Sequence, residues 1–144
     1  MTPLTEHFSV EELTLSQVAM RKGIDNSPPI ALLPVLADTA QRLELVRSLF
    51  GAPIHISSGY RSTAVNWLVG GVPDSAHITG YAVDFTVEGW DNLEVAERIV
   101  ASSLEFDQCI LEYGWIHISF DPRMRRQVMT KKSQYAAYQA GLVA

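Results

Sequence analysis

Apolar residues recur at helical spacing from about Leu33 to Phe50, where Leu36, Ala40, Leu43, Val46, Leu49 and Phe50 share one stripe, and Gly51-Ala-Pro53 ends the run. This pattern predicts the main packing helix. Ahead of it, Ser9 and Glu12 have capping-box spacing for a short helix, a second helix over Ser16 to Lys22 stops at Gly23, and Asn26-Ser-Pro-Pro29 forbids regular structure. Beyond it the pattern predicts a strand at Ile54–Ser57, a short helix over Ser62–Leu68, a strand over Tyr81–Val87, a helix over Asn92–Leu104 and a β-hairpin over Asp107–Phe120. Helices come mainly first and strands mainly second. The fold class is therefore α+β, with helices packed on a small antiparallel sheet.

The hairpin places polar groups by simple alternation. With Tyr113-Gly114 as a two-residue turn, Glu112 faces Trp115, Ile110 faces His117, Cys109 faces Ile118 and Gln108 faces Ser119. Leu111, Ile116, Cys109 and Ile118 then form an apolar face, while Gln108, Glu112, Trp115, His117 and Ser119 share the other. A slip of one residue would bury Glu112 and His117 and expose the apolar set. The strand over Tyr81–Val87 follows the same logic, with Val83, Phe85 and Val87 on one face and Ala82, Asp84 and Thr86 on the other.

At 144 residues and 47% hydrophobic content the chain is expected to form one domain over 1–144, with its core at about 4–120 and a basic segment at 121–144. A net charge of -5 excludes a dedicated nucleic-acid binder, which needs clustered cations. Arg123, Arg125, Arg126, Lys131 and Lys132 are the local exception, read as a solvated helix face or as a patch for an anionic polymer. Cys109 has no partner for an internal disulfide and reads as a core residue. With neither a basic-then-apolar leader nor a membrane-length span, the expectation is cytoplasmic synthesis, no stable membrane insertion and a monomer.

Three side chains carry the chemistry. His77 and Asp84 lie in Ser75-Ala-His77-Ile-Thr-Gly80-Tyr-Ala-Val-Asp84, and His117 in Trp115-Ile-His117-Ile-Ser119. Two imidazoles and a carboxylate suit Zn2+ better than calcium or magnesium, which prefer oxygen shells. Three protein ligands with a fourth position open to water are the pattern of a hydrolytic zinc, which brings that water's pKa to about 7. Glu112, diagonal to His117 on the same face, is within reach to act as general base.

Ser57-Ser-Gly-Tyr-Arg61-Ser62, Asn66, Val69-Gly-Gly-Val72-Pro73, Ser75-x-His77 through Gly80 to Asp84, Phe106-Asp-Gln108 and Trp115-Ile-His117-Ile-Ser119 occur here in that order. Over about Leu4 to Phe120 the chain resembles the zinc D-Ala-D-Ala carboxypeptidase and L-alanyl-D-glutamate endopeptidase family, which shares its fold with the hedgehog signalling domain. The opening Leu4-Thr-Glu-His-Phe8 is similar to its small phage and prophage branch. The resemblance implies a hedgehog-like fold, zinc held by His77, Asp84 and His117, and hydrolysis of peptide bonds in the stem peptides of bacterial peptidoglycan. It further implies that Arg61 holds a substrate carboxylate or polarises the scissile carbonyl, through a donor fork that lysine lacks. Ser75 either bonds substrate or caps a turn, and Trp115 is a candidate wall for substrate. His55 reads as an ordinary imidazole near the site, and His7 has no chemical role. The chain departs from the family in its base: the acid expected three residues before the second His is Gly114, which leaves Glu112, with Asp107 and Asp121 as substitutes should the turn be longer.

The leading reading is an endolysin-type endopeptidase that reaches the wall after release. A D-Ala-D-Ala carboxypeptidase, a non-catalytic zinc module and a virion component that remodels the wall are the alternatives.

Overall fold

The computed structural model describes residues 2–144. Its first two helices, α1 (Val10–Leu13) and α2 (Gln17–Lys22), start at Ser9 and Ser16, whose hydroxyls accept the backbone N–H of Glu12 and Ala19. Each cap satisfies a donor that the first helical turn leaves without a partner. One 3-10 turn leads into α3 (Leu33–Phe50), which buries Leu36, Ala40, Leu43, Val46 and Phe50, the predicted stripe apart from half-buried Leu49. Helix α4 (Thr63–Leu68) is capped by Ser62, and α5 (Asn92–Ala101) by Asp91. The latter stops three residues short of Leu104. Its end at Ser102 has a local cause: the Ser102 hydroxyl donates to the Ile99 carbonyl at 2.6 Å and accepts the Leu104 N–H at 3.2 Å, so it replaces the helical bonds. Among the described residues no helix is long and apolar enough to cross a membrane.

The strands β1 (Ile54–Ser58), β2 (Ala82–Val87), β3 (Gln108–Leu111), β4 (Ile116–Ser119), β5 (Gln127–Thr130) and β6 (Gln139–Ala140) form one sheet in the order β1-β2-β4-β3-β5-β6. One face carries Val83, Phe85, Cys109, Leu111, Ile116 and Ile118 into a core shared with α3 and α5. The hairpin has the predicted register, Ile110 opposite His117 and Leu111 opposite Ile116, and the Glu112 N–H closes the two-residue turn onto the Trp115 carbonyl at 3.0 Å.

The α+β class holds, but two expectations need correction. The sheet is mixed rather than antiparallel, because β3 and β5 run parallel. The basic stretch is not a solvated helix face: it supplies β5. Met124 and Arg126 both have positive φ, 42° and 52°, which breaks any helix there. Tertiary contacts hold this backbone in place. The Arg125 N–H, Nε and Nη2 all donate to the Asp107 carboxylate at 2.8–3.0 Å. The Arg126 guanidinium donates to the carbonyls of Ser102 and Leu104 and lies 4.5 Å from the Phe106 ring centroid.

Candidate metal centre

The β2–β4 pairing sets Asp84 directly opposite His117. Cross-strand partners point to the same face, so the Asp84 Oδ1 and His117 Nδ1 meet at 3.2 Å. His77 comes from the loop before β2, where Gly80 turns the chain at φ +83° and its carbonyl accepts the buried Thr39 hydroxyl at 2.8 Å. The ring of His77 is fixed from behind. Its Nδ1 donates to the Gly59 carbonyl at 2.8 Å, which directs the other nitrogen, Nε2, at the same Asp84 oxygen, 3.2 Å away. Gly59 must itself be glycine, since a Cβ would run into the Leu13 carbonyl.

The three ligand atoms all lie within 4.8 Å of one another. A tetrahedral ion with bonds near 2.0–2.2 Å requires its ligand atoms about 3.3 Å apart, so the group fits zinc with little adjustment. The protonation states fit as well. Burial lowers the pKa of His77 against the opposing pull of Asp84, which favours the neutral imidazole that a metal binds. Burial would raise the Asp84 carboxyl, but the charges and hydrogen bonds of His77 and His117 outweigh it and hold Asp84 well below the usual carboxylate range.

Glu112 and Trp115 stand on the same sheet face. The Trp115 indole donates to Glu112 Oε2 at 3.2 Å, while the other carboxylate oxygen has no hydrogen bond among the described residues. Burial pushes the Glu112 carboxyl upward and Asp84 adds to this, against His117, the indole bond and Lys131. Asp107 and Asp121 are not equivalent substitutes, because their carboxylates are engaged by Arg125 and Arg123.

Arg61 is bound to the site through its backbone, whose N–H donates to the His77 carbonyl at 3.0 Å. Its guanidinium lines the same cleft and forms no salt bridge among the described residues, and its buried Nε has no hydrogen-bond partner. Burial lowers its pKa, against the nearby charges of Asp84 and Glu112. Ser75 caps its turn, accepting the His77 N–H at 3.2 Å, and also lines the cleft. Trp115 packs edge-on against Tyr113, with ring centroids 4.6 Å apart. His55 is exposed beside Glu88, outside the cleft, and His7 is bound to Glu44.

The cleft holds about 940 Å³, and part of its lining has no counterpart among the expected site residues: Lys131, Tyr135 and Tyr138. Their only sequence signal was a basic, tyrosine-containing stretch with no strand alternation. The family model described as Peptidase M15 matches residues 6–119, a span that contains His77, Asp84, His117, Arg61 and Glu112. No curated protein matches the chain.

Proposed function

The chain belongs to the peptidase M15 family and is a zinc metallopeptidase that acts on peptidoglycan; from this we propose that His77, Asp84 and His117 hold the zinc, with Glu112 and Arg61 as the working side chains. When bound there, zinc supplies a Lewis acid that polarises a carbonyl and makes water nucleophilic at neutral pH. Glu112 takes the proton of the attacking water on its free oxygen and passes it to the leaving amine. Trp115 aims that carboxylate through its indole N–H. Arg61 presents donors to a substrate carboxylate or to the scissile carbonyl, and its lack of a carboxylate partner keeps the fork available.

The observation that carries this reading is the β2–β4–β3 register, which puts Asp84, His117 and Glu112 on one face, with His77 reaching Asp84 from the adjoining loop. The finer reading is an endolysin-type endopeptidase of a phage or prophage that meets the wall after release. A cleft of about 940 Å³, walled by several separate segments, supports an extended stem peptide over a single terminal residue. Incubating the zinc-loaded protein with purified sacculi, with and without chelator, tests both levels. New amino termini that vanish with chelator are expected, and product masses assign the bond. Release indifferent to chelator would overturn the metal assignment, and loss of terminal D-Ala alone would replace the endopeptidase by a carboxypeptidase.

A further inference from the structure

The family match ends at residue 119, yet one wall of the cleft comes from residues beyond it, Lys131, Gln134, Tyr135 and Tyr138. Parallel pairing explains how they reach the site. Thr130 lies opposite Leu111, and the Lys131 N–H donates to the Leu111 carbonyl at 2.9 Å, so the next rung sets Lys131 beside Glu112. Residues on the same rung of adjacent strands point to one face, which here is the face of the metal group.

Lys131 is nevertheless not the partner of Glu112. Its ammonium lies in no salt bridge among the described residues, and Glu112 is bound by Trp115 instead. The ammonium is held by neutral groups: it donates to the Ala136 carbonyl at 3.1 Å and lies 4.5 Å from the Tyr138 ring centroid. Of its three donors at least one remains for a ligand. Arg123 and Arg125, also on the cleft lining, are engaged by Asp107 and Asp121. Among the described residues two cleft cations therefore lack a carboxylate, Arg61 from the segment after β1 and Lys131 from the segment after β5.

We propose that Lys131, held in place by the Tyr138 ring, determines specificity by pairing with a substrate carboxylate distinct from the group that meets Arg61. The preferred substrate is then a peptide with at least two free carboxylates, and amidation of one of them weakens its binding. This rests on the peptidoglycan-peptide reading of the same site, because glutamyl stem peptides carry such groups.

The test uses the zinc-loaded full chain and two synthetic stem peptides, one with free carboxylates and one with the glutamyl carboxylate amidated. Rapid-mixing tryptophan fluorescence reads binding before turnover, and mass spectrometry follows cleavage separately. A half-buried charge-assisted contact predicts about tenfold tighter binding of the free acid by the unaltered protein. That ratio should fall to about one in K131M and stay severalfold in K131R, with thermal melting reporting on the fold. A K131M ratio equal to that of the parent would overturn the proposal, as would a parent that does not discriminate. Lys131 acting only on Glu112 would slow both peptides equally and leave the ratio unchanged, which also overturns it. Discrimination in binding without zinc-dependent cleavage would sink the peptidase reading of this substrate and leave the carboxylate contact standing.

Discussion

Replacing Glu112 with glutamine keeps the shape of the side chain and the indole contact but removes the oxygen that can take a proton. Trp115 can still donate to the amide oxygen, so the aromatic wall and the turn are retained. General-base catalysis by a positioned side chain contributes about 10²- to 10⁴-fold, or roughly 3 to 5 kcal/mol of barrier. The expected loss lies in that range and falls on kcat, since no polar contact of Glu112 other than Trp115 holds the cleft together. Zinc content should stay at one equivalent, because the group of His77, Asp84 and His117 that could hold the ion does not include Glu112. In the metal-free protein E112Q should be no less stable, because burial and the charge of Asp84 already disfavour the ionised carboxyl there. Steady-state cleavage of a muropeptide, metal analysis and thermal melting together decide the matter. E112Q with more than a tenth of the parental kcat would refute Glu112 as the base. Loss of zinc would show instead that the side chain is needed to build the site.

Arg61→Lys keeps the charge but not the planar fork, so kcat/KM should fall at least about tenfold with zinc content unchanged, read by steady-state kinetics and metal analysis. Asp107→Asn removes the charge that holds three Arg125 donors and should cost about 2 kcal/mol in urea unfolding at pH 7. The pH dependence has a definite sign. The Arg125 hydrogen bonds hold the Asp107 carboxyl below its usual range, so this stabilisation is complete above the unfolded pKa of about 3.9 and is lost as pH falls through the lower folded value. The difference between parent and D107N should therefore be constant from pH 6 to 8 and shrink below about pH 4; a difference that grows on acidification would refute the assignment.

The parts of this fold legible in the sequence are those set by neighbours along the chain. The Ser9 and Gly23 caps, the α3 stripe and the β3–β4 hairpin each depend on contacts a few residues apart, and each was placed by spacing alone. Alternation put Asp84 and His117 on polar faces of their own strands. It did not say that those strands are neighbours, because β2 and β4 are separated by the whole of α5 and β3. The C-terminal wall was illegible for a different reason. Its strands are short, its backbone takes positive φ at residues that are not glycine, and its pairing with β3 is parallel, which no tight turn announces. Counting charges there also misled: Arg125 and Arg126 are engaged by Asp107 and by backbone carbonyls, and the remaining lysine of interest turns into the cleft.

The same alternation builds both the core and the metal centre, which links stability to activity at the level of register. Val83, Phe85, Ile116 and Ile118 are 0–1% exposed on the face opposite Asp84 and His117. Sliding β4 by one residue along β2 would turn Ile116 and Ile118 out of the core, at about 1.5–3 kcal/mol each, and turn His117 in without a partner. The apolar face therefore holds β2 and β4 in the one alignment in which the Asp84 and His117 side chains meet, 3.2 Å apart. A catalytic group placed on this face gains precision from the core behind it. That is why Glu112, two residues outside the family's expected position for the base, still shares the sheet face of His117: the hairpin turn sets it diagonal to that residue by an independent route.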